Sequence, residues 1–352
     1  MEDKKPHQSH NIHQKSPSEL RFDIVSKDWV VIATGRAKRP EMFKKEKKEK
    51  SQKLKKTCPF EPERIEEQEF PTYISVNGKK IEKFDKIDKD WTLIVIPNKF
   101  PAVVPGKSLR ERAEGPYQIM DGIGFHEVLI TRDHEKDMSQ FSGEQIKEVI
   151  DAYQERYLDL MNEKFINYIS IFHNHGKEAG ASMVHPHSQI MAIPVTDPDI
   201  QNNLAASRRY SDFHQKCIHC EIIKWEKETG KRIVFENKEF LVICPFASIM
   251  AFQMRIYPKE HLSYFERVNE KQKIALSEAF LASLVKLRKA LGDPSYNFFL
   301  RTSPCDGKDH AHYHWHFEIL PRTAIQAGFE FGAGMEISVI EPEKAAEHLR
   351  KQ

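Results

Sequence analysis

Within Gly180-Ala-Ser-Met-Val-His-Pro-His-Ser-Gln189, two imidazoles stand two residues apart, a primary amide follows two residues later, and a hydroxyl precedes them at Ser182. Side chains alternate along a strand, so His185, His187 and Gln189 are expected on one face. A neutral imidazole is nucleophilic near pH 7, and the cationic nitrogen of a phosphohistidine is a good leaving group. The set therefore suits attack on phosphorus by His187. Gln189 and Ser182 could stabilise charge on the phosphoryl oxygens, and the small residues ahead of the pair let backbone approach a ligand closely. Taken alone, a His-x-His strand also fits a metal pair or two surface histidines.

Eight of the 17 histidines fall in two tight groups, at 173, 175, 185 and 187 and at 310, 312, 314 and 316. The five cysteines are too few, and odd in number, for a disulfide framework. Cys217 and Cys220 have the Cys-x-x-Cys spacing of a metal or redox pair. Cys244 and Cys305 read as packing residues, and His310 and His312 as solvated loop histidines or as lining of a sugar pocket.

The elements that must position these groups can be read from periodicity. Residues 28–33, 91–96 and 125–131 are β-branched and aromatic, as strands are. Ser142, with Gln145 three residues on, opens a helix whose apolar positions Ile146, Val149, Ile150, Tyr153 and Tyr157 keep helical spacing. Strands follow at 168–173 and 187–193. The second half repeats this order, with strands at 240–244 and 251–257, a helix over 270–291, and strands at 296–301 and 314–320. Each final strand ends at Ile193-Pro194 or Leu320-Pro321. The pattern reads as an internal duplication of an α+β unit, an antiparallel-dominated sheet with a long packed helix. Residues 1–18 read as a disordered tail and 44–56 as a charged surface segment.

The chain has 352 residues, of which 39% are hydrophobic and 30% charged, the profile of a soluble globular protein of about two domains. A net charge of +2 gives no global pull toward nucleic acid or membrane. No apolar run reaches bilayer length, and the N-terminus lacks the apolar stretch of a signal peptide. A cytoplasmic location is the default expectation.

The segment Gly180 to Gln189 resembles the active-site motif of galactose-1-phosphate uridylyltransferases, a branch of the histidine-triad superfamily. Three further segments extend the resemblance. Residues 29–40 look like the family's N-terminal arginine-bearing segment, residues 97–101 (Pro-Asn-Lys-Phe-Pro) like a nucleoside-contacting turn, and residues 172–176 (Phe-His-Asn-His-Gly) like the approach to the active-site strand. The resemblance covers about residues 20–350. It implies a duplicated histidine-triad-like fold, with an N-terminal domain over 19–195 carrying the His-Pro-His-Ser-Gln motif and a C-terminal domain over 196–352. It also implies a ping-pong reaction. His187 attacks the α-phosphorus of UDP-glucose, glucose-1-phosphate leaves, and galactose-1-phosphate takes the uridylyl group from the histidine. Gln189 and Ser182 would bind phosphate oxygens, Asn174 would position the phosphates, Asn98 would lie at the base, and Arg36 and Arg39 would offset phosphate charge.

The resemblance also implies structural zinc. Cys217, Cys220, His261 and His314 form a closed Cys2His2 set, with His219 a spectator inside the turn. An equivalent first-half site would use Cys58, His134 and His185, with Glu61 where relatives have a second cysteine. A carboxylate there makes a harder, weaker set. The second half lacks the Gly-Ala-Ser approach and the glutamine, so it is not expected to hold a second catalytic centre. The partners implied are a nucleotide sugar and a sugar 1-phosphate, and the assembly implied is a homodimer.

Two sites in the sequence, three residues in all, resemble instead a branch of the family that acts on ADP-glucose with inorganic phosphate. They are Ser188, and Phe329 and Glu330 in Gly328-Phe-Glu, where uridylyltransferases have a tyrosine near the sugar. Three readings follow: hexose-1-phosphate uridylyltransferase, ADP-glucose phosphorylase, and a non-catalytic nucleotide- or metal-binding protein that keeps only the fold.

Overall fold

The computed structural model describes residues 18–33, 43, 55 and 57–352. Arg36 and Arg39, the expected tail apart from Ser18, and the charged segment 44–56 apart from Lys55 lie outside the described residues. Strands β1 (Glu19–Phe22) and β2 (Trp29–Ile32) pair antiparallel at the start of the chain. The first half then builds β3 (Tyr73–Val76), β4 (Lys79–Lys80), β5 (Leu93–Pro97), the exposed hairpin β6 (Glu111–Glu114) and β7 (Tyr117–Met120), β8 (Phe125–Thr131), helix α1 (Gly143–Leu160), β9 (Tyr168–His175) and β10 (His187–Ile193). Ser142 caps α1 as its spacing predicts. Its hydroxyl accepts from Gln145 N at 3.2 Å, and the Gln145 amide accepts from Ser142 N at 2.9 Å.

Two helices that the periodicity did not reveal, α2 (Pro198–His214) and α3 (Ile218–Thr229), open the second half. Asp197 caps α2 with proline behind it. The polar face of α2 hides its few buried positions, and the Cys-x-x-Cys segment obscured the start of α3. There follow β11 (Ile233–Glu236), β12 (Phe240–Ile243), β13 (Met254–Pro258), α4 (Glu270–Leu291), β14 (Tyr296–Arg301) and β15 (His316–Pro321). The short helix α5 (Gly328–Ala333), β16 (Ile337–Ser338) and α6 (Pro342–Arg350) complete the chain. β16 pairs parallel with β2, so the C-terminal segment meets the first described strands.

The main sheet has the order β11-β12-β13-β15-β14-β9-β10-β8-β5-β3-β4. Apart from the β4 flap, the halves follow one plan. Three strands run in a meander, a long helix crosses, the next strand lands at the inner position, and the last inserts beside it. The halves meet where β9 pairs antiparallel with β14, with Asn174 opposite Asn297. The α+β architecture is thus one continuous antiparallel sheet. Helices α1 and α4 lie against each other on one face, and a single apolar core takes side chains from both halves. On the strands, Leu93, Val95, Leu129 and Ile190 face that core, while Ile94, Ile96, Val128 and Ile130 alternate to the opposite face. The buried pair of Arg156 on α1 and Glu127 on β8 ties helix to sheet through two 2.8 Å hydrogen bonds. Among the described residues no helix is long and apolar enough to cross a membrane.

Candidate active site

Alternation along β10 sorts the motif. Ser188, Ile190 and Ala192 turn toward the helices, and His187 and Gln189 turn to the other face. There they line a cleft of about 380 Å³ together with Ser182, Asn98, Phe60 and Phe100. His185 corrects the expectation of three groups on one strand face. The strand begins only at His187, and His185 lies on the bend before it. Its ring is drawn away, with Nε2 bonded to the Thr131 carbonyl at 2.6 Å. His314, expected within its strand, likewise precedes β15, with Nε2 at 2.9 Å from the Pro258 carbonyl.

His187 is 9% exposed, and its Nδ1 lies 2.9 Å from the His185 carbonyl oxygen. A carbonyl only accepts, so Nδ1 carries the proton and the lone pair is on Nε2. Burial holds the His187 pKa below the usual imidazole range, partly opposed by that hydrogen bond. The ring is therefore neutral near pH 7 and nucleophilic at Nε2. Gln189 is fixed by a residue that the motif did not reveal, since its Oε1 is 2.9 Å from His126 Nε2. His126 sits on β8 diagonally across from Gln189, which pairs with Val128, and such a neighbour is visible only once the register is known. Phe60, also missed, meets the His187 ring edge-on at 5.5 Å.

Several expected residues lie elsewhere. Ser188 is buried on the helix side and accepts from the Tyr153 hydroxyl at 2.6 Å, so it faces away from the cleft. Asn174 sits at the seam between the halves, where its Oδ1 accepts from Asn297 Nδ2 at 2.7 Å, and it does not line the His187 cleft. Phe329 and Glu330 are on α5, with Phe329 48% exposed, and they too are outside this cleft. His310, expected in solvent, is buried with Nε2 at 2.8 Å from Asp306 Oδ1.

Two groups of side chains can hold a metal. Cys58, Glu61, His134 and His185 are all buried, and their ligand atoms lie within 4.8 Å of one another. Cys58 Sγ and Glu61 Oε1 are each 3.7 Å from His185 Nδ1, and Glu61 meets His134 Nδ1. A tetrahedral zinc with these ligands sets neighbouring donors about 3.3–3.8 Å apart. Glu61 Oε1 and His134 Nδ1 are buried against each other inside the group, with Glu61 Oε1 also turned toward His185 Nδ1. Burial lowers the His185 pKa to about 4, keeping the imidazole neutral as a ligand must be. In the second group, Cys220 Sγ lies 3.4 Å from His261 Nδ1 and 3.6 Å from His314 Nδ1, and Cys217 Sγ lies 4.0 Å from His314 Nδ1. His261 Nε2 bonds the Ala311 carbonyl at 2.7 Å, so backbone carbonyls hold His185, His261 and His314 with Nδ1 inward. His219 is outside the set, wedged among the rings of Tyr257, Tyr313 and His316. A third convergence, Asp137, His175 and Asp293, is neutralised internally, because Arg288 pairs with Asp137 at 2.5 Å.

The sequence model described as galactose-1-phosphate uridyl transferase, N-terminal domain, matches residues 8–196, and one described as a domain of unknown function (DUF4921) matches 122–352. An ADP-glucose phosphorylase of Arabidopsis thaliana is 32% identical, covering 97% of this chain and 94% of its own length. A galactose-1-phosphate uridylyltransferase of Thermotoga maritima is 28% identical, covering 95% and 98%. The crystal structure of the Arabidopsis ADP-glucose phosphorylase with bound ADP-glucose superposes with a TM-score of 0.78 at 30% identity, over 96% of this chain and 99% of that one. With more than half the sequence matched and the motif histidine seated in a cleft beside Gln189 and Ser182, the chain belongs to the galactose-1-phosphate uridyl transferase family and is an enzyme of the nucleotidyltransferase class.

Proposed function

We propose that the enzyme moves a nucleotidyl group from a nucleoside-diphosphate sugar to a phosphate acceptor through a covalent intermediate on His187, acting as a hexose-1-phosphate uridylyltransferase. The observation that carries this reading is the His187 ring, with Nδ1 capped by a carbonyl and Nε2 left as the base, in a cleft shared with Gln189, Ser182 and Asn98. Nε2 attacks the α-phosphorus of UDP-glucose, and the bond to the bridging oxygen breaks, releasing glucose-1-phosphate. The phosphate oxygen of galactose-1-phosphate then attacks the same phosphorus, and the P–N bond breaks. The Gln189 amide and Ser182 hydroxyl stabilise the phosphoryl oxygens in both steps.

A second reading is adenylyl transfer from ADP-glucose to inorganic phosphate. It is favoured by the whole-length likeness to the Arabidopsis phosphorylase. Ser188, which faces α1, does not bear on the choice. Intact mass after brief exposure to UDP-glucose, and separately to ADP-glucose, tests both. A uridylyl increment discharged by galactose-1-phosphate supports the first, and an adenylyl increment discharged by phosphate supports the second. No increment with either would sink both and leave the binding-protein reading.

Zinc at the two cysteine–histidine groups belongs to the proposal, as a structural ion that orients the bend before β10 and the loop before β15. So does a homodimer in the cytoplasm. Ile325 at 94%, Phe331 at 75% and Phe329 at 48% exposure give the α5 region an apolar surface for a second copy, which would be the route by which Phe329 and Glu330 reach a cleft.

A further inference from the structure

We infer that His126 is a positioning residue that decides which end of the Gln189 amide faces the phosphoryl group, an inference that rests on the nucleotidyl-transfer reading above. The backbone N–H of Ala102 can only donate, and it lies 3.2 Å from His126 Nδ1. Nδ1 therefore holds the lone pair, and the neutral ring carries its proton on Nε2. Nε2 is 2.9 Å from Gln189, so the atom facing it is the amide oxygen, and the NH2 group is left for the cleft that Gln189 lines. Reversed, the Nε2 proton would lose its acceptor, and a carbonyl oxygen would meet the phosphoryl oxygens.

Asn98 is settled in the same way. Its Oδ1 accepts from Phe100 N at 2.9 Å, so the atom 3.2 Å from His126 Nε2 is its NH2 group. That group cannot donate into a nitrogen that already bears hydrogen, and it too is left for the cleft. The His126 carbonyl also accepts from Asn98 N at 2.7 Å, anchoring the turn. The imidazole behind the cleft thus orders the Gln189 amide, Phe100 N orders that of Asn98, and the His126 ring itself does not line the cleft.

The test compares His126→Leu, His126→Gln, Gln189→Ala and the double variant His126→Leu/Gln189→Ala. The rate of nucleotidyl-enzyme formation is followed by quenched intact mass with UDP-glucose and ADP-glucose. His126→Leu should slow it on the order of 10–100-fold. Nucleotide-sugar affinity, measured in a His187→Ala background, should change by less than about threefold. His126→Gln, which restores an N–H donor, should recover most of the rate. In the Gln189→Ala background His126→Leu should cost nothing further. Undiminished rate in His126→Leu, or losses that multiply independently, would overturn the assignment. Nitrogen-15 spectra of histidine-labelled protein, with the His126 signal identified by its loss in His126→Gln, read the tautomer without turnover. A proton on Nδ1 overturns the inference, whereas an Nε2 proton with no adduct from the wild type supports it and counts against the proposed reaction instead.

Discussion

His187 donates from Nδ1 to the carbonyl oxygen of His185 across 2.9 Å, while the His185 ring turns the opposite way into the cluster of Cys58, Glu61 and His134. The residue whose carbonyl fixes the His187 tautomer thus places its own ring in the candidate metal group. The second half repeats the arrangement, with His316 Nδ1 at 3.3 Å from the His314 carbonyl. There Glu318 stands where Gln189 does, and its carboxylate is locked to Arg255 at 3.2 Å and to Gln253.

His187→Ala should lower transfer on the order of 10⁴-fold or more, because the proposed covalent intermediate forms on its Nε2. Nucleotide-sugar binding by calorimetry should stay within a few-fold of wild type. Transfer at an appreciable fraction of the wild-type rate would sink the covalent mechanism.

Ser188→Gly should leave the ratio of UDP-glucose to ADP-glucose adduct rates unchanged within about twofold, because the hydroxyl faces Tyr153 and not the cleft. Its cost is in stability, about 1–2 kcal/mol from the lost hydrogen bond and the added glycine in a strand. A switch in nucleotide preference would contradict the placement of this side chain.

Arg156→Met leaves the Glu127 carboxylate buried without its partner, and should destabilise the fold by about 3–5 kcal/mol in urea unfolding. A loss below about 1 kcal/mol would show that the pair does not hold α1 to the sheet.

Glu61→Cys converts the first-half group into two thiolates and two imidazoles. Competition with a chromophoric chelator should show zinc held roughly tenfold tighter or more, the softer set being the better zinc site. Equal affinity in both forms would mean that position 61 is not a ligand.

His173 and His187 both have pKa values pushed below the ordinary range by burial. The unfolded chain takes up protons below about pH 6.5 that the folded chain refuses, so their contribution is fully present above that pH and is lost as pH falls toward the depressed folded values. Each group removes about 1.4 kcal/mol per pH unit within that window. The thermal midpoint should drop between pH 7.5 and 5.5. Adduct formation should fail only once pH passes the lowered His187 value, when Nε2 is protonated. A midpoint that rises on acidification would reverse this account.

Much of this protein could be read from local pattern. The helix starting after Ser142 announces itself through a capping box, β10 and α4 through their periodicity, and the closeness of Cys217 to Cys220 through their spacing. These signals lie within a few residues of one another and reflect bonds made inside one element. Parity along β10 was legible from His187 onward, but not the bend at His185, since that ring is held by Thr131, 54 residues away in sequence. Alternation alone could not say which face of β10 looks toward α1, and so could not show that Ser188 turns its back on the cleft. Nor could it set His126 diagonally beside Gln189, or pair Asn174 with Asn297 across the seam. Those placements depend on strand register and on which half lies beside which, and they are set by the burial of one shared core rather than by any local preference of the residues involved.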